Sequence, residues 1–269
     1  MKTVLTIAGF DPSSGAGVTA DLMVFAAHGL FGTSCITALT VQSTLRVAAT
    51  HPVSPEIARA TLQHLEEDLP PMGIKIGMLG TAEMVAAVAD FIEQTPGIPV
   101  VLDPVLRSSS GRELLSPDGV ELMRTRLLPL VGWVTPNLDE LGILVGERVT
   151  TREEMAVAGR RLRDSSRGLT VLATGGHLAS PDDLLLAPDG DQLWLQGELI
   201  ATSSTHGTGC ALSSAVLSRL VLGDSFTAAA LAAKEYVAGA LRAAKGIGHG
   251  RGPIHHLWPL EKLEGSHKA

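Results

Sequence analysis

The sequence predicts an α/β fold, a three-layer αβα arrangement in which helices cover both faces of a mostly parallel central sheet. Strand-like and helix-like segments alternate along most of the chain, as they do where helices connect parallel strands. Hydrophobic residues make up 45% of the 269 residues and charged residues 18%, so the chain can bury a large core. No low-complexity linker or internal repeat interrupts it, and we expect one domain over residues 1–269.

Short apolar runs rich in β-branched residues mark the predicted strands, beginning with "TVLTIAG" and "TSCITALTVQ". One segment breaks the alternation. In "DDLLLAPDGDQLWLQ", two apolar runs flank the turn sequence "PDGD", which predicts a small antiparallel hairpin. The predicted strands cover residues 3–9, 33–42, 73–79, 98–103, 132–137 and 168–176, and the hairpin covers 182–196.

Helical periodicity marks the segments between these strands. In residues 81–95 apolar side chains line one face and Thr81 can cap the first turn. Thr151 and Glu154 have the spacing of a capping box. The predicted helices cover residues 18–29, 55–69, 81–95, 138–146, 151–166, 209–222 and 225–245.

Ligands of such sheets collect at the carboxyl ends of the strands. Polar and small residues stand at those ends. They are Gly9, Asp11, Gln42, Met78, Asp103, Asn137, Gly175 and the corner at Gly207.

Charge and composition exclude several classes of partner. The net charge of −7 argues against binding to nucleic acid or to an anionic membrane. The apolar run after Lys2 is too short for a secretory signal, and no window approaches 18 apolar residues. Two cysteines without a C-x-x-C motif predict a cytoplasmic protein with reduced thiols.

The segment "THGTGCALSSA" places two glycines and a cysteine directly before an apolar helix. Gly207 and Gly209 allow close approach of the backbone, and the first N–H groups of the helix can hold an anion such as a transferring phosphoryl group. Cys210 lies in the first helical turn, where a thiol pKa is lowered, so a thiolate could act as a general base. The alternative is a small core residue at a tight turn.

Neither of two common nucleotide-binding motifs fits this sequence well. Gly15, Gly17 and Ala20 fit the G-x-G-x-x-[GA] pattern, but they begin six residues beyond Gly9, and no acidic residue ends the second strand. A loop that covers a substrate fits this segment better. No G-x-x-x-x-G-K-[ST] sequence exists in the chain.

In "TPNLDE", Asn137 and Glu140 stand three apart at a helix start. Glu140 could hold Mg²⁺ through water, or the two residues could simply cap the helix. Gln42 can pair with a heteroaromatic edge or satisfy a loop.

Two further titratable residues are ambiguous. Asp103 and Asp21 could be functional or structural. His255 and His256 lie near the carboxyl terminus, and we expect them at the surface.

Ten segments together are more specific than any one of them. They are "LTIAGFDPSSGAGVTADL", "ITALTVQST", "IKIGMLG", "VLDPV", "LLSP", "RLLPL", "VTPNLDE", "GGH", "THGTGCALSSA" and "GHGRGPIHH". Their combination resembles the hydroxymethylpyrimidine/phosphomethylpyrimidine kinases of thiamine biosynthesis, within the ribokinase-like superfamily, from about residue 5 to 256. The resemblance implies a ribokinase-like fold and an ATP- and Mg²⁺-dependent kinase acting on 4-amino-5-hydroxymethyl-2-methylpyrimidine and then on its monophosphate. We also expect a homodimer.

The resemblance also implies residue roles. The implied pyrimidine pocket consists of Gly9, Ala16, Asp21, Gln42, Met78 and Val105. The implied anion hole and base are Gly207, Thr208, Gly209 and Cys210. Nucleotide contacts fall on Asn137, Thr174 and Gly176, and metal contacts on Glu140 through water and on Asp103. In ribokinase-like sugar kinases the equivalent corner usually ends in aspartate, which supports a base at Cys210.

Three departures from the family pattern affect phosphate binding. Ser109, Thr174 and Ser203 stand where the family usually carries lysine, and Arg107 is a candidate replacement cation. Two other functions therefore remain open: a pyridoxal kinase of the same superfamily, or a catalytically weak binder of pyrimidine or pyridoxal compounds.

Overall fold

The computed structural model describes residues 1–108, 111–176, 178 and 180–265. Its strands are β1 (Thr3–Phe10), β2 (Phe31–Gln42), β3 (Val47–Pro52), β4 (Ile74–Ile76), β5 (Val100–Leu102), β6 (Trp133–Val134), β7 (Thr170–Ala173), β8 (Asp183–Leu186) and β9 (Gln192–Leu195). They form one sheet in the order β3-β2-β1-β4-β5-β6-β7-β8-β9. The inner strands β2, β1, β4, β5, β6 and β7 are parallel, whereas β3, β8 and β9 pair antiparallel at the two edges. The predicted hairpin is confirmed as β8 and β9.

Helices cover both faces of this sheet. They are α1 (Gly17–Ala27), α2 (Pro55–Asp68), α3 (Ala82–Gln94), α4 (Pro117–Leu122), α5 (Leu138–Val145), α6 (Arg152–Asp164), α7 (Thr208–Leu222), α8 (Phe226–Arg242) and α9 (Trp258–Gly265). Helices α2 to α6 contribute to one apolar core, and α1, α7, α8 and α9 contribute to the other. The predicted three-layer architecture is confirmed.

The alternation of side chains along each strand supplies both cores. In β1, Leu5 belongs to the core under α2 to α6, while its neighbour Val4 belongs to the core under α7 and α8. Leu102 and Val101 divide in the same way in β5. Successive residues of a strand point to opposite faces. The inner strands therefore read as continuous apolar runs, because neither face is open to water.

Three elements were missed by the sequence analysis. Strand β3 is short and lies at the sheet edge with half-buried and exposed residues, so it shows little apolar alternation. Helix α4 continues into a π turn at Met123–Leu127 and a 3₁₀ turn at Leu128–Leu130, where a proline interrupts regular helix bonding. Helix α9 follows a glycine-rich segment and packs Trp258 against the second core. Within the described ranges, no helix is both long and apolar enough to cross a membrane.

Candidate active site

A cavity of about 240 Å³ opens at the carboxyl ends of the parallel strands, beside the start of α7. Thirteen of the predicted site residues line it. They are Gly9, Ala16, Gln42, Met78, Asp103, Val105, Asn137, Glu140, Thr174, Gly207, Thr208, Gly209 and Cys210. Asp21 and Gly176 do not line it. Almost all of the predicted site residues therefore lie at the carboxyl ends of the strands, where ligands of such sheets bind.

The Gly207 corner forms the N-terminus of α7. Gly207 has φ +89°, and a Cβ there would lie 1.8 Å from the carbonyl oxygen of Gly15. Only glycine fits, because the conformation is left-handed and two backbone segments touch. The first N–H groups of a helix have no partners within the helix, and here they lie at the cavity wall. The corner can therefore hold an anionic group, as the sequence predicts.

Cys210 differs from the sequence expectation. Removal from bulk water raises the pKa of its thiol to about 12; Lys75 lowers the pKa, and Asp103 and Asp21 raise it further. The prediction of a thiol pKa lowered by the helix N-terminus is wrong for the protein without ligands. The thiol is therefore neutral, and it lines the cavity together with the carboxyl group of Asp103.

A buried ion pair lies behind this wall. Lys75 and Asp21 are both fully buried, with Lys75 Nζ 2.9 Å from Asp21 Oδ2. Asp21 also accepts hydrogen bonds from the hydroxyls of Thr6, at 2.6 Å, and Ser214, at 2.8 Å. The carboxylate thus holds the ammonium in place, and it is Lys75 that reaches the cavity. A contact between Asp21 and substrate, implied by the resemblance, is not what this geometry offers.

Sequence reasoning missed Lys75, which stands in the middle of the apolar strand segment "IKIGML". A lysine at an inward position of a buried parallel strand is itself a signal, since lysine is almost never buried without a partner.

Two buried carboxylates face the cavity near α5. Burial raises the pKa of Asp103 and raises that of Glu140 well above its usual range; the charge of Asp103 raises the pKa of Glu140 further. Glu140 also forms a capping box with Asn137, each side chain accepting a backbone hydrogen bond at 2.9 Å. The capping interpretation is thus confirmed, and it leaves the charge of Glu140 at the cavity.

This donor set fits Mg²⁺, which is bound in proteins by one or two carboxylates together with water and phosphate oxygens. A cation beside them would also offset the repulsion by which Asp103 raises the pKa of Glu140. Among the described residues no three His, Cys, Asp or Glu side chains form a metal cluster, so phosphate and water would have to complete the coordination.

At the end of β2, Gln42 belongs to a polar network. Its Nε2 lies 3.1 Å from His206 Nε2, which in turn lies 2.7 Å from Asp11 Oδ2. Sequence reasoning gave His206 no role. His256 is also buried, and its Nε2 lies 2.9 Å from the carbonyl oxygen of Gly15. The expectation of a surface position for His256 is wrong, because the chain returns to the cavity after the glycine-rich segment.

On the opposite side, Thr174 and Asn137 form a parallel bridge that brings the ends of β6 and β7 together. Gly176 is exposed outside the cavity. Ser203 is exposed and does not line the cavity either, and Ser109 lies outside the described residues. Arg107 lines the cavity at its rim, where the sequence analysis looked for a replacement cation.

Fold and site together define a ribokinase-like phosphotransferase: an α/β sheet with a helix N-terminus and two buried carboxylates around one cavity at the carboxyl ends of the strands. A family model described as phosphomethylpyrimidine kinase matches residues 11–255. The chain belongs to this kinase family.

Individual relatives agree over nearly the full length. The hydroxymethylpyrimidine/phosphomethylpyrimidine kinase of Haemophilus influenzae is 37% identical over 98% of this chain and 99% of its own. That of Rhizobium meliloti is 42% identical over 94% and 96%. The thiamine biosynthesis bifunctional protein ThiED of Geobacter sulfurreducens is 37% identical over 97% of this chain and 53% of its own.

Solved structures show the same fold. Phosphomethylpyrimidine kinase from Clostridium difficile 630 superposes with a TM-score of 0.80 at 33% identity, covering 90% of this chain and 100% of that one. Pyridoxal kinase from Staphylococcus aureus, in complex with AMP-PCP and pyridoxal, gives 0.86 at 30% identity, covering 96% and 94%.

Proposed function

We propose that this kinase uses ATP to phosphorylate 4-amino-5-hydroxymethyl-2-methylpyrimidine and then its monophosphate, in thiamine biosynthesis. One observation carries the proposal: the anion-binding corner at Cys210, the carboxylates of Asp103 and Glu140, and the amide of Gln42 all line one cavity. The names of the relatives support the same acceptor. We further propose that the chain is one domain that works in the cytoplasm as a homodimer.

The acceptor binds where Gln42 and Met78 line the cavity, with its hydroxymethyl group directed at Cys210. A side-chain amide offers one donor and one acceptor, which matches an aminopyrimidine edge. The N–H groups at Gly207, Thr208 and Gly209 stabilise the charge of the phosphoryl group in transfer, because they are already oriented before the reaction.

A neutral thiol is not a ready base, so we assign the proton to a relay. As the hydroxymethyl oxygen bonds to the γ-phosphorus of ATP, its proton passes to the Cys210 sulfur and the thiol proton passes to Asp103. The bond between the γ-phosphorus and the bridging oxygen breaks, and ADP leaves. The raised pKa of Asp103 favours its taking up this proton.

Because Asp103 takes the proton, we assign Glu140 to the binding of the metal ion. Mg²⁺, held by Glu140 through water, would supply positive charge beside the phosphates of ATP. Asn137 orients the carboxylate through the capping box. Lysines are missing at positions 109, 174 and 203, where Ser109, Thr174 and Ser203 stand. Arg107 at the rim is the candidate for the phosphate contact that such a lysine would make.

A coupled assay of ADP release tests the proposal with three acceptors: the pyrimidine alcohol, its monophosphate and pyridoxal. We expect turnover with the first two. Pyridoxal is included because the TM-score with the S. aureus pyridoxal kinase is 0.86. Turnover of pyridoxal alone would replace the acceptor we propose, and no turnover with any of the three would favour a binding protein.

Gln42→Ala refines this test. We expect the Michaelis constant for the alcohol to rise several-fold, since a buried group left unpaired costs about 1–3 kcal/mol, while that for ATP stays nearly unchanged. The control is Gln63→Ala on the exposed face of α2, where the amide donates a hydrogen bond to Glu67. An equal effect of Gln42→Ala on both substrates would give Gln42 a structural role only.

A further inference from the structure

The network around His206 restricts where its hydrogens can lie. His206 Nε2 is 2.7 Å from Asp11 Oδ2 and 3.1 Å from the side-chain nitrogen position of Gln42. Burial raises the pKa of Asp11, but hydrogen bonds from His206 and Ser13 outweigh this effect and hold the pKa below its ordinary value. Asp11 is therefore a carboxylate, which only accepts hydrogen bonds.

It follows that His206 Nε2 carries a hydrogen and donates it to Asp11. An N–H group cannot accept a hydrogen bond from the NH₂ of Gln42. The conflict disappears if the amide makes a half-turn, a choice that the hydrogen-bond network decides, because the single hydrogen on His206 Nε2 is then shared between Asp11 Oδ2 and the amide oxygen. Oε1 of Gln42 then faces His206, and Nε2 faces the hydroxyl of Thr40, 3.2 Å away. Thr40 is able to accept this bond because its own hydrogen goes to the carbonyl oxygen of Phe10 at 3.0 Å.

Packing and backbone hydrogen bonds fix the position of the His206 ring. A Cβ on Gly15 would lie 2.1 Å from His206 Cδ2, so the ring packs directly on the backbone of the covering loop. The backbone of His206 is held on both sides, donating to Gly252 at 3.0 Å and accepting from Ile254 at 3.2 Å. Asp11 is tied to the same loop through Ser13 and Ala16.

We infer that His206, fixed by Asp11, is a positioning residue that locks the amide of Gln42 in one orientation and so selects the hydrogen-bonding order of the acceptor ring. The inference rests on the proposed function in placing the acceptor beside Gln42. The amide presents its oxygen on the side of His206 and its remaining N–H on the side of Thr40.

This order suits an edge with an amino donor next to a ring-nitrogen acceptor, as in a 4-aminopyrimidine. The 4-oxo analogue carries the reverse order, a carbonyl acceptor next to a ring N–H. The 4-oxo ring cannot bind in a flipped orientation to compensate, because its hydroxymethyl group would then point away from Cys210. A freely turning amide would accept both rings, whereas a locked one rejects the second.

The experiment measures the affinity of the amino and 4-oxo pyrimidine alcohols by calorimetry, so that the preference does not depend on turnover. His206→Phe keeps a flat ring on Gly15 and removes the N–H; we expect the preference for the amino compound to fall about ten-fold or more. His206→Gln retains an N–H at similar reach and should keep the preference within about three-fold. The control is Gln63→Ala, which removes an exposed amide on α2 outside this network and should leave the preference unchanged.

A direct measurement complements the variants. NMR of the ¹⁵N-histidine-labelled wild type, assigned with His206→Gln, should show His206 protonated at Nε2. An unprotonated Nε2, an unchanged preference in His206→Phe, an equal loss in His206→Gln, or a wild type that binds neither compound would each overturn the inference. A wild type that prefers the amino compound in binding but does not phosphorylate it would overturn the proposed function and leave the inference standing.

Discussion

Replacing Lys75 by methionine tests how the floor of the active site is held together. Methionine has a similar length and removes only the charge and its hydrogen bonds. The variant leaves the Asp21 carboxylate fully buried with two hydroxyl donors, from Thr6 and Ser214, and without a cation.

The size of the effect follows from the geometry. Lys75 Nζ and Asp21 Oδ2 are 2.9 Å apart, and at an effective dielectric constant of about 20 their attraction is about 6 kcal/mol. Removing one partner of a buried pair destabilises proteins by about 3–5 kcal/mol, because the remaining charge is uncompensated. For a chain of this length that loss lowers the melting temperature by on the order of 10 °C.

Urea unfolding of four proteins measures it: the wild type, Lys75→Met, Asp21→Asn and the double variant. We expect the double variant to recover at least about 2 kcal/mol relative to the sum of the single losses, because it has no unpaired buried charge. The matched control is Lys245→Met, which removes an exposed lysine 3.2 Å from Glu261 and should cost under about 1 kcal/mol.

The charge of Lys75 itself does not change over the usual range of such measurements. Burial alone would lower its pKa, but Asp21, Cys210 and Asp103 outweigh burial and raise the pKa above the ordinary value. A raised lysine pKa contributes stability that is present below the ordinary pKa and is lost only as the pH rises beyond it. A loss below about 1 kcal/mol at pH 7, or additive losses in the cycle, would refute this account of the pair.

Three further predictions concern the groups at the cavity. Asp103→Asn should make the protein about 1–2 kcal/mol more stable at pH 7, because burial raises the pKa of the native carboxyl and penalises its charge. The same variant should slow phosphorylation of the alcohol by at least about 10²-fold, because it removes the proton acceptor. A less stable variant in urea unfolding contradicts this account. Since the raised pKa values of Asp103 and Glu140 make the folded state bind protons more tightly, wild-type stability gains from these groups as the pH falls from neutral towards their ordinary values, and Asp103→Asn should flatten that slope. Glu140→Gln should shift the Mg²⁺ requirement of turnover upward in a folded protein, and an unchanged Mg²⁺ titration removes Glu140 from the metal site. Cys210→Ala should slow phosphorylation of the alcohol much more than that of the monophosphate, because the attacking oxygen of the monophosphate is already ionised. Cys210→Asp should keep part of the activity on the alcohol. Equal losses on both acceptors in Cys210→Ala would make Cys210 a packing residue.

Parts of the site were predictable because they depend on local sequence. The close glycine spacing around Gly207 and the helix that follows it predict an anion site, since backbone conformation and free helix N–H groups are properties of neighbouring residues. The cap formed by Asn137 and Glu140 is local in the same sense. No local motif, however, distinguishes Asp103 from Asp21. The two residues therefore looked equivalent in the sequence, although they occupy different places in the site.

By itself, the sequence determined the α/β class, the layer arrangement and the kinase family, and it predicted a ligand site at the carboxyl ends of the strands. These properties follow from periodicity and from motifs that are short along the chain. Only the tertiary structure decided which charges meet. It pairs Lys75 with Asp21 across 54 positions, brings His206 to Asp11 across 195, and places Cys210 in the cavity wall together with Asp103. The pKa of each group depends on such distant neighbours and on its removal from water, so the thiol expected to be acidic is instead neutral.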